Sequence, residues 1–299
     1  MTLTKTQSNL GLLTSAFIWG ISYTFIKQCT DAHMSAGLIN GGRGLIFATL
    51  LYIFFHKTIH HITWQEVKLG AIGGLLNVAV VLLQTTGLKY TTPSNSSFLT
   101  ATYVLFVPIV VWITQHQRPQ RKLILAIILC LIGTTFLTCI IQTGFHLQLG
   151  DILTLCSAIF VSLQIVYYSA LGTRLNPINS SFMLAMSQIV VSGGMSLLFE
   201  RQGYGAIDWP HAILPLIALG ITASFMAQTL QIFCQQFADP TTSGLLLMTE
   251  SLFASLVSVL VGIEPVTSNL VIGGSLIFVA LLLMQLDLHR LSLWRRQRF

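Results

Sequence analysis

The sequence predicts an all-α membrane protein whose ten transmembrane helices form two inverted five-helix repeats. Three observations lead there: an apolar composition, ten apolar segments of spanning length, and an internal duplication. The chain has 299 residues, 54% hydrophobic and 8% charged, with a mean hydropathy of +0.77. A soluble domain carries about 25% charged residues, so this chain has no means of covering its surface against water. Cys29, Cys130, Cys139, Cys156 and Cys234 lie in or beside apolar segments, with no Cys-x-x-Cys pair. They read as small hydrophobes in helices, not as disulfides or metal ligands. The formal charge of +6 points to anionic lipid and not to nucleic acid.

A membrane helix needs about 20 mostly apolar residues. Segments at about 9–27, 35–55, 67–88, 93–115, 122–141, 150–171, 177–199, 210–235, 241–263 and 268–287 meet that need. The first follows a single Lys5 and has no small-x-small cleavage site after it, so it reads as a retained helix and not a removed signal peptide. The fourth and ninth begin alike. Leu83–Phe106, slid 147 positions, falls on Leu230–Phe253 without a gap, and eight of 24 positions are identical, Gln84/Gln231 and Pro93/Pro240 among them. Roughly one in ten would match by chance at ordinary residue usage. In each copy an apolar helix carrying a Gln ends in a tight joint, and a capping residue (Thr92, Asp239) then precedes a Pro. A capping side chain followed by Pro at the first helical position is a helix start. The chain is therefore a duplication: residues 1–142 make the first repeat, 148–287 the second, and 288–299 a basic tail.

Lys and Arg set the expected orientation. With a cytoplasmic N-terminus, 11 of the 15 fall on cytoplasmic flanks and three on outer flanks, and Arg43 lies inside a span. That bias places both termini in the cytoplasm. The tail Arg290–Phe299 mixes Leu291, Leu293 and Trp294 with four Arg, and is expected to lie on the anionic inner leaflet. Five helices per repeat is an odd number, so the second repeat enters the membrane inverted. Inverted repeats are the usual plan of secondary transporters, with the substrate site near midplane between the halves.

The whole chain resembles the drug/metabolite transporter (DMT) superfamily, and within it the ten-helix family of two EamA domains. The residues that carry the likeness are the Trp19-Gly20 pair, Arg43 and the Pro93-Ser-Asn-Ser-Ser-Phe-Leu helix start. With them go the segment from Asp239-Pro to Glu250 and the Gly262-Ile-Glu264-Pro turn. Departures fall at Ser251, where the family usually has Pro, and at Phe160, which stands in the second repeat opposite Trp19. The resemblance implies a basket-shaped inner-membrane carrier that exports small metabolites such as amino acids, or drugs, without an ATPase of its own.

Several polar or ionisable residues lie inside the spans. Glu250, in the ninth helix, is costly there unless it serves a purpose. Proton coupling, contact with a substrate amine, and a structural hydrogen bond between helices are the open roles. Arg43, among Gly41, Gly42 and Gly44, reads either as a neutraliser of a substrate carboxylate, as a partner of Glu250, or as a snorkelling brace. Asn77 and Gln84 share one face of the third helix, and Gln228, Gln231 and Gln235 share one face of the eighth, with Ser224 above them. Polar stripes on apolar spans must face protein or a water-filled cavity. Trp19 and Tyr23 on the first helix, Tyr103 on the fourth, and Gln164 with Tyr168 on the sixth complete an expected polar and aromatic substrate cavity. Packing between helices is the competing reading for all of these.

His56, His60 and His61 read first as a solvated cytoplasmic loop near lipid headgroups, with a metal site as the lesser alternative. There is no Gly-x4-Gly-Lys-[Ser/Thr] loop, no Gly-x-Ser-x-Gly and no His-Glu-x-x-His, so neither that route to ATP nor an intramembrane hydrolase is signalled. No cofactor is expected. Export is the leading expectation, uptake or exchange the second, and an intramembrane enzyme or scaffold the alternative outside transport. The oligomeric state is not encoded in any feature of the sequence.

Overall fold

The computed structural model describes residues 3–116, 122–137 and 148–285 and is helical throughout, with no strand among those residues. The helices are α1 (Lys5–Asp31), α2 (Ala36–Ile59), α3 (Trp64–Gly87), α4 (Pro93–Gln115), α5 (Lys122–Leu137), α6 (Leu149–Leu171), α7 (Pro177–Ala206), α8 (Trp209–Gln235), α9 (Pro240–Leu260) and α10 (Ser268–Gln285). Eight of them are long and apolar enough to cross a membrane, the exceptions being the shorter α5 and α10. The loop around Arg118, the junction near Gly144 and the basic tail lie outside the described residues.

Local chemistry sets the helix starts. Thr4 and Thr63 form capping boxes with Gln7 and Glu66. Thr92 accepts from the Asn95 N–H and Asp239 from the Thr242 N–H at 2.8 Å, with Pro93 and Pro240 at the first helical position. Each device satisfies backbone donors that a helix start leaves open.

Packing exchanges the two repeats. Helix α6 of the second repeat packs on α3 and α4 of the first, and α1 of the first packs on α8 and α9 of the second. Likewise α7 packs on α3, and α2 on α8. Swapping the repeats maps each contact onto its counterpart, as a twofold relation requires. Two crossed bundles result: α3, α4, α6 and α7 form one, and α1, α2, α8 and α9 the other. The counterparts α2 and α7 meet between the bundles, while α5 and α10 pack mainly on each other at the flank. Large apolar side chains such as Leu198, Phe199 and Leu214 point outward and are more than two-thirds exposed. In a multi-pass membrane protein that surface meets hydrocarbon.

Candidate functional site

The site is built around two helices that tighten locally. Helix α4 tightens at Thr102 and α9 at Thr249, where the backbone N–H bonds the carbonyl three residues back, marking off the segments α4a (Pro93–Ala101), α4b (Tyr103–Gln115), α9a (Pro240–Leu247) and α9b (Glu250–Leu260). The two Thr are 147 positions apart, and each hydroxyl donates to the carbonyl three residues back, Leu99 at 2.6 Å and Leu246 at 2.7 Å. Such bonds compete with the helical ladder and bend it. The residues that open α4b and α9b are Tyr103 and Glu250, which are therefore equivalent positions of the repeat. The sequence pattern reads α4 and α9 as continuous spans, because a single Thr inside an apolar run carries no signal of a tightened turn.

Both residues face a cavity of about 30 Å³ between the crossed bundles, which Trp19, Gln84, Gln164 and Gln231 also line. Val80, Thr100, Val161 and Leu247 complete the lining. That volume holds one or two waters, whereas a metabolite site needs several hundred Å³. The conformation is closed around its site. Gly20 lets α1 approach so nearly that a Cβ there would lie 2.6 Å from Phe253 Cβ and 2.8 Å from the Glu250 carbonyl. The Trp19-Gly20 pair thus sets the Trp19 ring beside Glu250.

The lining is short of partners. Gln84 Nε2 donates to Tyr23 Oη at 2.8 Å and to Thr100 Oγ1 at 3.3 Å. By contrast, Trp19 Nε1 and Tyr103 Oη are buried with no partner among the described residues, while the Gln164 amide lies within reach of the Tyr168 hydroxyl. No ion pair or hydrogen bond of the described residues engages the Glu250 carboxylate, and Glu250 is 5% exposed. Buried polar groups are nearly always satisfied, so two unpaired donors and an unpaired acid at one cavity mark a place where a ligand, water or proton completes the set.

Other expected residues lie elsewhere. Asn77, Gln228 and Arg43 belong to a second buried group. There Gln188 Nε2 donates to Asn77 Oδ1 at 2.8 Å, Asn77 Nδ2 donates to Gln228 Oε1 at 3.3 Å, and Arg43 Nε donates to Ser224 Oγ at 2.7 Å. No ion pair joins Arg43 to Glu250. Gln188 opens a π-helical stretch of α7, and Ser224 and Gln228 lie in another in α8. Such widened turns recur at functional sites. Tyr168 packs its hydroxyl against Gly73 at the α3–α6 contact, away from the cavity lining. Thr100 and Gln188 were not singled out by sequence reasoning. Thr100 was reachable from its place one turn before Tyr103, but Gln188 shows its role only through the crossing of α3 and α7.

This is the architecture of a membrane carrier: two intertwined repeats with a polar cavity at their interface. The profile of the EamA-like transporter family matches residues 7–139 and 148–286, and the chain belongs to that family. An uncharacterized transporter of Archaeoglobus fulgidus is 29% identical over 286 residues, covering 94% of this chain and 87% of that one. The uncharacterized transporter YvbV of Bacillus subtilis is 27% identical over 215 residues, covering 69% of this chain and 68% of its own. A protein of known crystal structure shares the fold with a TM-score of 0.68 at 17% identity, covering 96% of this chain and 99% of that one.

Proposed function

We propose that the chain is a secondary transporter that exports small polar metabolites, amino acids or related compounds, across the inner membrane by alternating access. The observation that carries this reading is the closed cavity between the bundles, with its two unpaired donors and one unpaired acid. Indole N–H, phenol O–H and amide N–H groups suit the carboxylate, carbonyl or hydroxyl oxygens of a polar substrate. Glu250 is the ionisable carboxylate at the site and the group suited to proton coupling. A substrate held there meets both bundles at once, so a rocking motion of one bundle against the other exposes it to each side in turn.

The orientation that belongs to this reading has both termini in the cytoplasm, the tail 288–299 on the anionic leaflet, and the repeats dividing at 142–148. Impermeant thiol labelling in a cysteine-free background tests it: a Cys at position 144 is expected to react from outside and one at position 118 not.

Transport itself is tested by counterflow in proteoliposomes, with candidates drawn from a metabolite comparison of cells with and without the protein. Uptake of labelled compound driven by unlabelled compound inside is the expected result. Its absence for every compound whose cellular level responds would favour an enzyme or scaffold. Net movement into cells down no gradient of the compound would reverse the direction to uptake.

A further inference from the structure

Arg43 sits in the second buried group and has no counter-ion among the described residues. Its side chain is 2% exposed, its Nε bonds Ser224, and no other hydrogen bond or ion pair of the described residues reaches the guanidinium. A guanidinium keeps its charge in proteins. An isolated buried charge is strongly unfavourable unless something neutralises it. Four N–H donors of a planar fork are therefore unclaimed.

A second donor lies beside it. Gln228 Nε2 is buried and unpartnered. Its amide is oriented by a relay in which Gln188 donates to Asn77 and Asn77 donates to Gln228 Oε1, so the relay ends on a free N–H group. Ser224, which accepts from Arg43, stands about one turn before Gln228 on α8. One stretch of α8 thus carries both the hydroxyl that Arg43 bonds and the free amide donor that the relay orients.

We infer that Arg43, Gln228 and Ser224 form a binding site for one small monovalent anion, a halide or a carboxylate, separate from the central cavity. A single charge is favoured because one cation faces the site: Arg43 is the one buried Lys or Arg among the residues whose burial is described. A doubly charged phosphate would leave net charge buried. Small size follows from the tight surroundings. A Cβ on Gly41 would lie 2.7 Å from Gly193 Cα, and one on Gly44 would lie 2.8 Å from Gln188 Cβ. Gln231, which lines the cavity, is seven residues beyond Ser224 on α8, about 10 Å at helical rise. An anion at this site is therefore positioned to couple electrostatically to the cavity without occupying it.

Thermal unfolding of the purified full-length protein tests the inference without needing transport. The first arm titrates sodium chloride against sodium methanesulfonate at constant ionic strength. The second compares each amino acid with its decarboxylated amine. A saturable rise in Tm with chloride identifies a halide site, and a rise with an amino acid but not its amine identifies a carboxylate site. Arg43→Gln should abolish either rise and be at least as stable as the parent in methanesulfonate, because it removes an uncompensated charge. Arg43→Lys and Gln228→Met, tested beside it in case Arg43→Gln does not purify, should raise the half-saturating concentration about tenfold by losing the fork or its neighbouring donor. No rise in either arm overturns the site, as does a rise that persists in Arg43→Gln or is unaltered in both other variants. Lower stability of Arg43→Gln in every buffer, as a structural brace predicts, overturns it too.

Discussion

Gln84 and Gln231 occupy equivalent places in the two repeats, yet their surroundings differ. Gln84 is tied to Tyr23 and Thr100, whereas Gln231 makes no hydrogen bond among the described residues and lines the cavity. Removing one partner of a buried hydrogen bond strands the other and costs about 1–3 kcal/mol. Gln84→Leu should therefore lower Tm and substrate affinity together, while Gln231→Leu should lower affinity alone. Equal losses of stability in the two variants would show that both glutamines only join helices. Tyr103→Phe deletes a hydroxyl that has no protein partner. It should leave Tm unchanged or raised while weakening binding about tenfold, the worth of one hydrogen bond. Glu250→Gln should keep exchange but lose accumulation driven by a pH gradient, and unchanged gradient-driven accumulation would remove Glu250 from coupling. The pairing of Gln84 with Gln231 is legible in the repeat. That Gln228 and Gln231, neighbours on one face, fall into two different buried groups is not, because the division depends on which helices cross there.

At the scale of elements, the crossing of α2 and α7 gives a sharp comparison. Gly41 and Gly193 face each other there, but not symmetrically. A Cβ on Gly41 would lie 2.7 Å from Gly193 Cα, whereas one on Gly193 would meet its nearest atom, Gly41 Cα, at 3.8 Å. Helix interfaces in membranes depend on such small residues, and overpacking a tight contact costs about 1–3 kcal/mol. Gly41→Ala is expected to lower Tm and yield, and Gly193→Ala to leave both within error, measured by fluorescence-detected gel filtration after heating. A reversed order would mean that the crossing relaxes differently from its backbone geometry. The helix starts at Pro93 and Pro240 are legible because cap and Pro leave a local signature. The tightened turns at Thr102 and Thr249 and the π-helical stretches of α7 and α8 leave none, since they arise from hydrogen bonds chosen in the packed state.

At the scale of the whole molecule, both ends of the bundle interface are fastened. At one end Glu264 Oε1 accepts from the Ser94 N–H at 2.9 Å and from Ser258 Oγ at 2.7 Å, and Lys27 Nζ donates to the Leu88 carbonyl at 3.4 Å. At the other, Gln236 Nε2 donates to the Leu175 carbonyl at 2.8 Å. The Glu264–Ser94, Lys27–Leu88 and Gln236–Leu175 contacts each run from one crossed bundle, or its adjoining loop, to the other, while Ser258 holds Glu264 from within its own bundle. The Thr91–Asp151 bond of 2.9 Å stays within a single bundle. The duplication that makes the bundles is visible in the sequence, but the closed state is not, because one sequence encodes every state of the cycle. If transport proceeds by rocking the bundles, the Glu264–Ser94 contact must open in each turnover and the Thr91–Asp151 contact need not. Cys pairs at 94/264 and 91/151, in a background without native Cys, can be joined by a short reducible bifunctional thiol reagent. The link at 94/264 is expected to abolish counterflow and reduction to restore it, while the link at 91/151 leaves at least half the rate. Full counterflow with 94 and 264 joined, or equal block by both links, would mean that the bundles do not move as these units.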